Sequence, residues 1–236
     1  MAGDSIMQSY APGDKPVTGW GEMLHTLAQG DAVCRAAHRA DCPFPQEMRY
    51  ELPGLVIDNC AMAGRSSKTF REEGRLDDIA AHIRPGDLLV VSFGHNDANR
   101  TKAERYVPAD AFGESLRPFW DAARSHGAVC LFASPVAMRE FDGASVCHPS
   151  FAAYREAMRA FAAEVGAPFI DLGAATAAAN TALGAERCKA RYMWVGAKQD
   201  NAHQQNAGAC RTAQAFVQQL LQDTTPALDV LRASFK

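Results

Sequence analysis

The chain has 236 residues, 47% of them hydrophobic and 22% charged, which allows a sizeable core and excludes a disordered, collagen-like or coiled-coil protein. Lysine and arginine total 24 against 27 for aspartate and glutamate, so the formal net charge is -3 and nucleic acid is not an expected partner. No uncharged stretch reaches the roughly 20 apolar residues of a membrane span, so no membrane partner is expected either. Composition leaves the oligomeric state open.

The chain opens with Gly3-Asp4-Ser5, which has the character of a turn that follows a first strand, although only Met1 and Ala2 precede it. This first strand is therefore predicted to be truncated. Either the natural start lies upstream, or the chain was trimmed, or residues 228–235 supply the strand in a permuted topology. We favour the first two explanations.

Residues 30–53 are rich in charge and proline and are predicted to be an insertion between the first helix and the second strand. Cys34 and Cys42 flank a polar loop inside it and can form a disulfide in an oxidising compartment. The chain has 7 cysteines, an odd number without a C-x-x-C pair, so a structural zinc site is not expected. The redox state of the cysteines stays open.

From residue 55 onwards, short apolar runs alternate with longer helical patterns, which is typical of an α/β fold around a parallel sheet. Strands are predicted at residues 55–59, 87–94, 128–134 and 168–171. Helices are predicted at residues 67–83, 108–126, 150–165, 174–182 and 206–221. Residues 189–205 show little periodicity and are predicted to be a long functional loop. No repeat or second domain is visible, so residues 1–236 are predicted to form one domain.

Four short polar blocks follow or precede these elements at intervals suited to successive strand ends. They contain Ser5 at the start, Gly64 after the second strand, Asn96 after the third, and Asp200 with His203 before the last helix. In a parallel sheet the loops after the carboxyl ends of the strands lie along one edge. We therefore expect these blocks to meet in one crevice.

The residue types in these blocks suit acyl transfer. The Ser5 hydroxyl is a nucleophile once a base accepts its proton, and His203 is the candidate base. Asp200, three residues earlier, can fix the tautomer of that imidazole and stabilise its charged form. The Ser5 N–H, the Gly64 N–H and the Asn96 side-chain amide are the natural donors for an oxyanion hole.

Each block is weak evidence by itself. An isolated Ser5 is more often a turn or helix-capping serine, and Asp200 with His203 would read as a cap and a surface imidazole. The order of all four blocks along the chain favours a catalytic role.

With these residues in place, the sequence resembles the SGNH, or GDSL, hydrolase superfamily, in which Ser, Gly, Asn and His each mark one block. The likeness is closer to the rhamnogalacturonan acetylesterase-like carbohydrate esterases, through residues 63–70, 73–75, 93–97, 134–142 and 192–203. The resemblance implies a flavodoxin-like three-layer α/β/α sandwich whose central parallel sheet has the strand order 2-1-3-4-5. It also implies metal-independent deacetylation of pectic sugars without a cofactor.

Three further residues are candidate substrate contacts. Arg65 can bind an acidic pectic sugar, Trp194 can stack on a sugar ring, and His148 can line the pocket. Ion pairing of Arg65 and Arg75 with neighbouring carboxylates, and a capping or exposed role for His148, are alternatives that the sequence does not exclude.

The leading hypothesis is a serine esterase that removes acetyl groups from a plant cell-wall polysaccharide through an acetyl-enzyme intermediate. A lipase or thioesterase of the same chemistry is an alternative, as is a carbohydrate-binding domain with impaired catalysis. By family analogy the protein is secreted or periplasmic if a signal segment precedes Met1, and cytoplasmic otherwise.

A metal-dependent phosphoesterase is an alternative from another class. It is motivated by the potential metal ligands Asp4, His95, Asp97, Asp200 and His203. It is opposed by the lack of a concentrated carboxylate cluster. In the esterase hypothesis the first three of these residues are expected to order their own loops by hydrogen bonding.

Overall fold

The structure is a computed structural model that describes residues 1–30, 33–143 and 146–235. Its strands are β1 (Ala2–Gly3), β2 (Arg35–Ala37), β3 (Met48–Leu52), β4 (Leu55–Asn59), β5 (Leu88–Ser92), β6 (Val129–Ala133), β7 (Phe141–Asp142), β8 (Val146–Cys147), β9 (Phe169–Ile170), β10 (Tyr192–Val195) and β11 (Lys198–Gln204). Its α-helices are α1 (Trp20–Met23), α2 (Ser67–Glu72), α3 (Arg75–His82), α4 (Ala109–Ser125), α5 (Ala152–Val165), α6 (Leu172–Leu183), α7 (Ala185–Cys188), α8 (Asn206–Gln222) and α9 (Asp229–Ser234).

A parallel sheet with the order β1-β5-β6-β9 forms the centre of the molecule. On the other side of β1, the Met1 amine donates to the Asp58 carbonyl (2.6 Å) and the Cys60 N–H donates to the Met1 carbonyl (3.0 Å). Strand β4 therefore lies beside β1 at its carboxyl end. The resulting order β4-β1-β5-β6-β9 confirms the predicted order 2-1-3-4-5.

Helices cover both faces of this sheet because successive strand residues point to opposite sides. On β5, Val91 packs into a core with the α4 and α5 side chains, whereas Val90 packs into a second core with α1 and α8. Strand β6 repeats the pattern with Phe132 and Leu131. The two cores give the three-layer α/β/α architecture that the resemblance implies.

Helix α4 shows why these segments are helical. Phe112, Leu116, Phe119 and Ala123 recur at intervals of four and three residues, and all are buried. The chain turns away after the helix at Gly127, which has a φ of +70°.

The predicted helix 67–83 is two helices, because Gly74 adopts a φ of +76° between α2 and α3. Residues 189–205 are not an irregular loop as predicted, since β10 and β11 form an antiparallel hairpin there. Its register shifts from Tyr192 opposite Gln204 to Met193 opposite Asp200, so residues 201–203 bulge out of the ladder.

Two further expectations need correction. Residues 30–53 are in part a sheet, since β2 and β3 pair antiparallel with each other and β3 pairs with β4. The C-terminal segment forms α9, so it does not supply a permuted strand, and β1 itself spans Ala2–Gly3. Cys34 and Cys42 carry free thiols and are not joined by a disulfide. In the described part of the chain, every helix is too short or too polar to traverse a lipid bilayer.

Candidate active site

Ser5 lies in a tight turn at the carboxyl end of β1. Asp4 shapes this turn, because its Oδ1 accepts the Ile6 N–H at 2.9 Å. The Tyr10 hydroxyl donates to the Ser5 carbonyl at 2.8 Å and holds the turn from the other side. Gly3 has to be a glycine, since a Cβ there would lie 2.9 Å from the Ser92 carbonyl oxygen. The turn therefore presents the Ser5 hydroxyl at the edge of the sheet.

The bulge in the β10–β11 hairpin brings an imidazole to this hydroxyl. His203 Nε2 lies 3.0 Å from Ser5 Oγ, although 198 residues separate the two in sequence. His203 Nδ1 lies 2.8 Å from Asp200 Oδ2. Because an ionised carboxylate only accepts hydrogen bonds, Nδ1–H donates to Asp200 and Nε2 is left to accept the Ser5 hydroxyl proton.

The charge of Asp200 is stabilised by the same bulge. Its Oδ1 accepts the N–H groups of Ala202 (2.8 Å) and His203 (3.0 Å). Burial acts to raise the pKa of Asp200, but these amide hydrogen bonds and the nearby imidazole outweigh it, so its pKa lies below the usual value. Asp200 is therefore an anion at neutral pH.

Gly64 and Asn96 lie on the loops beside this turn. Gly64 has a φ of +79° in a turn closed by the Arg65 N–H and the Met62 carbonyl (3.3 Å). The Met62 N–H donates to the Gly3 carbonyl at 3.0 Å, which fixes this turn next to β1. The Asn96 Nδ2 donates one hydrogen bond to the Arg65 carbonyl at 2.9 Å, and its second N–H stays available.

Three buried titratable groups support the loops behind the site. Asp97 accepts the Ser67 N–H (2.9 Å) and the Gly94 N–H (3.1 Å), and burial raises its pKa to about 6. His95 Nε2–H donates to a carbonyl oxygen (3.0 Å), and burial lowers the pKa of this imidazole to about 4. Burial likewise raises the pKa of Asp4 to about 7. These groups hydrogen-bond to their own loops, as expected.

The metal-centre hypothesis receives no support from this arrangement. Within residues 1–30, 33–143 and 146–235, no group of three or more His, Cys, Asp or Glu side chains is placed to hold a metal ion. Asp97 spends its oxygens on backbone and hydroxyl donors, and Asp200 spends one oxygen on two amides.

The candidate substrate contacts lie in different surroundings. The Arg65 guanidinium is paired with Glu73, with its Nε 2.9 Å from Glu73 Oε1. Trp194 donates its indole N–H to Asn201 Oδ1 at 2.9 Å, which ties the ring to the residue that follows Asp200. His148 is 62% exposed in its side chain and lies 4.0 Å from a carboxylate oxygen of Asp142.

Three residues that the sequence analysis did not single out hold the site together. Gln8 Oε1 accepts the Ala63 N–H, Arg105 Nη1 donates to the Gly64 carbonyl at 3.2 Å, and Arg139 donates from its backbone to the Asn201 carbonyl at 2.7 Å. Gln8 follows Ser5 by one turn, so its spacing was a usable signal. Nothing in the sequence around Arg105 indicates its contact, because the loop that carries it is irregular.

An α/β fold that joins a serine hydroxyl, an imidazole and a carboxylate by successive hydrogen bonds has the arrangement of a serine hydrolase. Comparison with known proteins agrees, since the model of the GDSL-like lipase/acylhydrolase family matches residues 1–192. The chain belongs to this family and is a carboxylic ester hydrolase.

Individual relatives are also similar over most of the chain. The rhamnogalacturonan acetylesterase RhgT of Bacillus subtilis (strain 168) is 32% identical over 222 residues, which cover 90% of this chain and 84% of the relative. The probable rhamnogalacturonan acetylesterase YesY of the same strain is 34% identical over 210 residues, covering 89% and 85%. The crystal structure of the Bacillus subtilis protein YxiM superimposes with a TM-score of 0.75 at 25% identity and covers 96% of this chain. This chain spans 56% of that structure's chain.

Proposed function

We propose that the protein removes acetyl groups from a carbohydrate, with acetylated rhamnogalacturonan as the substrate class. The observation that carries the proposal is the 3.0 Å approach of His203 Nε2 to Ser5 Oγ, with Asp200 on the other imidazole nitrogen. Both curated relatives described above carry rhamnogalacturonan acetylesterase in their names. Since the two ends of the chain meet at this site, the proposed hydrolase domain spans residues 1–236.

In the first half of the reaction, Ser5 Oγ attacks the acetyl carbonyl carbon while His203 Nε2 takes the hydroxyl proton. The carbonyl oxygen becomes an oxyanion, and the N–H groups of Ser5, Gly64 and Asn96 stabilise it. The bond to the sugar oxygen then breaks, and His203 returns the proton to that oxygen. This leaves a free sugar hydroxyl and an acetyl group on Ser5.

In the second half, His203 Nε2 takes a proton from a water molecule, whose oxygen attacks the acetyl carbon. The same donors stabilise the second oxyanion. Its collapse breaks the bond to Ser5 Oγ, His203 protonates that oxygen, and acetate leaves. Throughout, Asp200 keeps the imidazole in one tautomer and stabilises its charged form.

A polar hollow beside the catalytic bulge supports a carbohydrate rather than a long acyl chain. It has a volume of about 800 Å³ and includes Arg139, Glu140, Arg187 and Asn201 in its lining. Charged and amide side chains can hydrogen-bond to sugar hydroxyls, whereas a lipase needs an apolar trench for its acyl chain. We therefore place the sugar on this side of Ser5, next to Trp194.

The test is acetate release from acetylated rhamnogalacturonan by the wild-type protein and by Ser5→Ala. We expect release by the wild type and none above background by the variant. Acetylated xylan and an octanoyl ester, run in parallel, separate the substrate class from other carbohydrate esterases and from lipases. Undiminished release by a folded Ser5→Ala, or a preference for the octanoyl ester, contradicts the proposal.

A further inference from the structure

The turn that presents the Gly64 N–H contains one peptide group that can face either way. The Arg65 N–H closes the turn on the Met62 carbonyl, and Gly64, the third residue, has a φ of +79°. That φ is the value a type II turn requires at its third position. Types I and II differ in the orientation of the central peptide, which here joins Ala63 to Gly64. The orientation of this peptide therefore decides where the Gly64 N–H points.

Neighbouring side chains hold the peptides on either side of the central one. Gln8 Oε1 accepts the Ala63 N–H, and Arg105 Nη1 donates to the Gly64 carbonyl at 3.2 Å. Neither contact reaches the central peptide. Because Gly64 has no Cβ, its backbone can adopt both turn types at low cost. The outer contacts thus leave the direction of the Gly64 N–H unspecified.

The central peptide is held by Arg65. Its Nη1 donates to the Ala63 carbonyl oxygen at 2.9 Å. In a trans peptide the C=O and the N–H point in opposite directions in one plane. A guanidinium on the Ala63 carbonyl therefore fixes the Gly64 N–H on the opposite side of that peptide. The charge on the carbonyl also polarises the peptide, which strengthens the N–H as a donor.

The guanidinium is itself anchored from behind. Arg65 Nε lies 2.9 Å from Glu73 Oε1 and 3.0 Å from Glu73 Oε2. The buried Arg75 donates its Nε to Glu73 Oε2 at 2.6 Å and stacks over the ring of Phe44. The helix break at Gly74 makes this possible, because it places Glu73 and Arg75 side by side. Arg65 thus has a fixed position rather than a free, solvated one.

We propose that Arg65, anchored by Glu73, is a positioning residue for the oxyanion hole, which holds and polarises the Ala63–Gly64 peptide so that the Gly64 N–H faces the reacting carbonyl. The inference rests on the proposed acyl transfer at Ser5. It assigns to Arg65 a role in transition-state stabilisation, in contrast to the substrate contact that the sequence suggested.

The experiment compares Arg65→Met, Arg65→Lys and Glu73→Gln with wild type on p-nitrophenyl acetate. This ester carries no carboxylate and no sugar, so a lost substrate contact has no effect on it. Removing one oxyanion donor typically lowers kcat by about 10²- to 10³-fold. We expect a kcat loss of about 10- to 100-fold for Arg65→Met, because the donor is misdirected rather than deleted, and KM close to the wild-type value.

A second readout separates positioning from a general structural role. An alkylboronic acid adds to the active serine as a tetrahedral anion and so reports on the oxyanion hole. Its inhibition constant should rise by the same factor by which kcat falls in each variant. Arg71→Met is the matched control, since Arg71 lies on the same surface of α2 but donates to the Ser67 carbonyl and not to Ala63. It should leave kcat and boronate inhibition unchanged.

Several results would overturn the inference. One is wild-type kcat in all three variants while Ser5→Ala is inactive. Another is a fall in kcat without weaker boronate inhibition, and a third is an effect confined to KM on the polysaccharide. If Arg65→Met does not fold, Glu73→Gln and Arg65→Lys still decide, since both retain polar side chains of similar size. Activity that persists in Ser5→Ala instead refutes the proposed function and is thereby distinguished.

Discussion

Replacing Asp200 with asparagine tests the hydrogen-bond chain of the site with the smallest change in shape. In the wild type, Asp200 Oδ1 accepts two backbone N–H groups at 2.8 and 3.0 Å, and Oδ2 accepts the His203 Nδ1–H at 2.8 Å. An asparagine has one oxygen and one NH2 group for these two positions. The effect on catalysis depends on which of them faces the imidazole.

The backbone decides that orientation. Turning the NH2 group towards the two amides would leave both donors unsatisfied, at a cost of about 1–3 kcal/mol for each. The asparagine oxygen therefore stays on the amides, and its NH2 group faces His203 Nδ1. The imidazole must then accept at Nδ1 and carry its hydrogen on Nε2, which faces Ser5 Oγ at 3.0 Å. In that tautomer His203 cannot take the Ser5 proton.

We expect kcat of Asp200→Asn on p-nitrophenyl acetate to fall by about 10⁴-fold, which corresponds to about 5 kcal/mol in the activation barrier. The thermal unfolding midpoint should change little, because both backbone hydrogen bonds are retained. Asp121→Asn, an exposed substitution on α4, is the matched control and should keep wild-type kcat. A loss of less than about tenfold in a folded Asp200→Asn refutes the tautomer argument.

Two other predictions concern the residues around the nucleophile. Asp4 Oδ2 is buried without a hydrogen-bond partner among the described residues, and the pKa of this carboxyl is raised from 3.8 to about 7. The native state therefore binds the proton more tightly, so Asp4 lowers stability progressively as pH rises from about 4 to 7, by up to about 4 kcal/mol. Asp4→Asn should remove that slope in urea unfolding at successive pH values, and an unchanged slope contradicts it. For Gly64→Ala, a left-handed alanine costs about 1–2 kcal/mol, which favours the flipped turn. Its kcat should fall by about 10²-fold with KM nearly constant, and wild-type kcat contradicts this.

The central strands and the candidate site could be predicted because their signals are local. Residues 55–59 coincide with β4, and the runs at 87–94 and 128–134 contain β5 and β6. Buried strands of a parallel sheet are continuously apolar, and this pattern needs no knowledge of neighbours. The parallel sheet also explains why Ser5 and His203, at opposite ends of the chain, were expected to meet.

The missed features depend on partners that are distant in sequence. Strand β11 is almost entirely polar, and its pairing with β10 stabilises it rather than its own propensity. The break at Gly74 leaves no mark in the apolar periodicity of residues 67–83, since α3 resumes the same pattern one residue later. The contact of Arg65 with the Ala63 carbonyl depends on the turn conformation and on Glu73, which the sequence alone does not set.

The acetyl-enzyme intermediate gives the most direct test of Ser5 as the nucleophile. The protein is mixed with p-nitrophenyl acetate, quenched in acid within the first turnover, digested and analysed by mass spectrometry. We predict that the N-terminal peptide gains the mass of one acetyl group, that fragmentation places it on Ser5, and that Ser5→Ala shows no such gain. Acetate release that proceeds with an unmodified Ser5 at every quench time, or with the acetyl group on another side chain, would contradict this assignment.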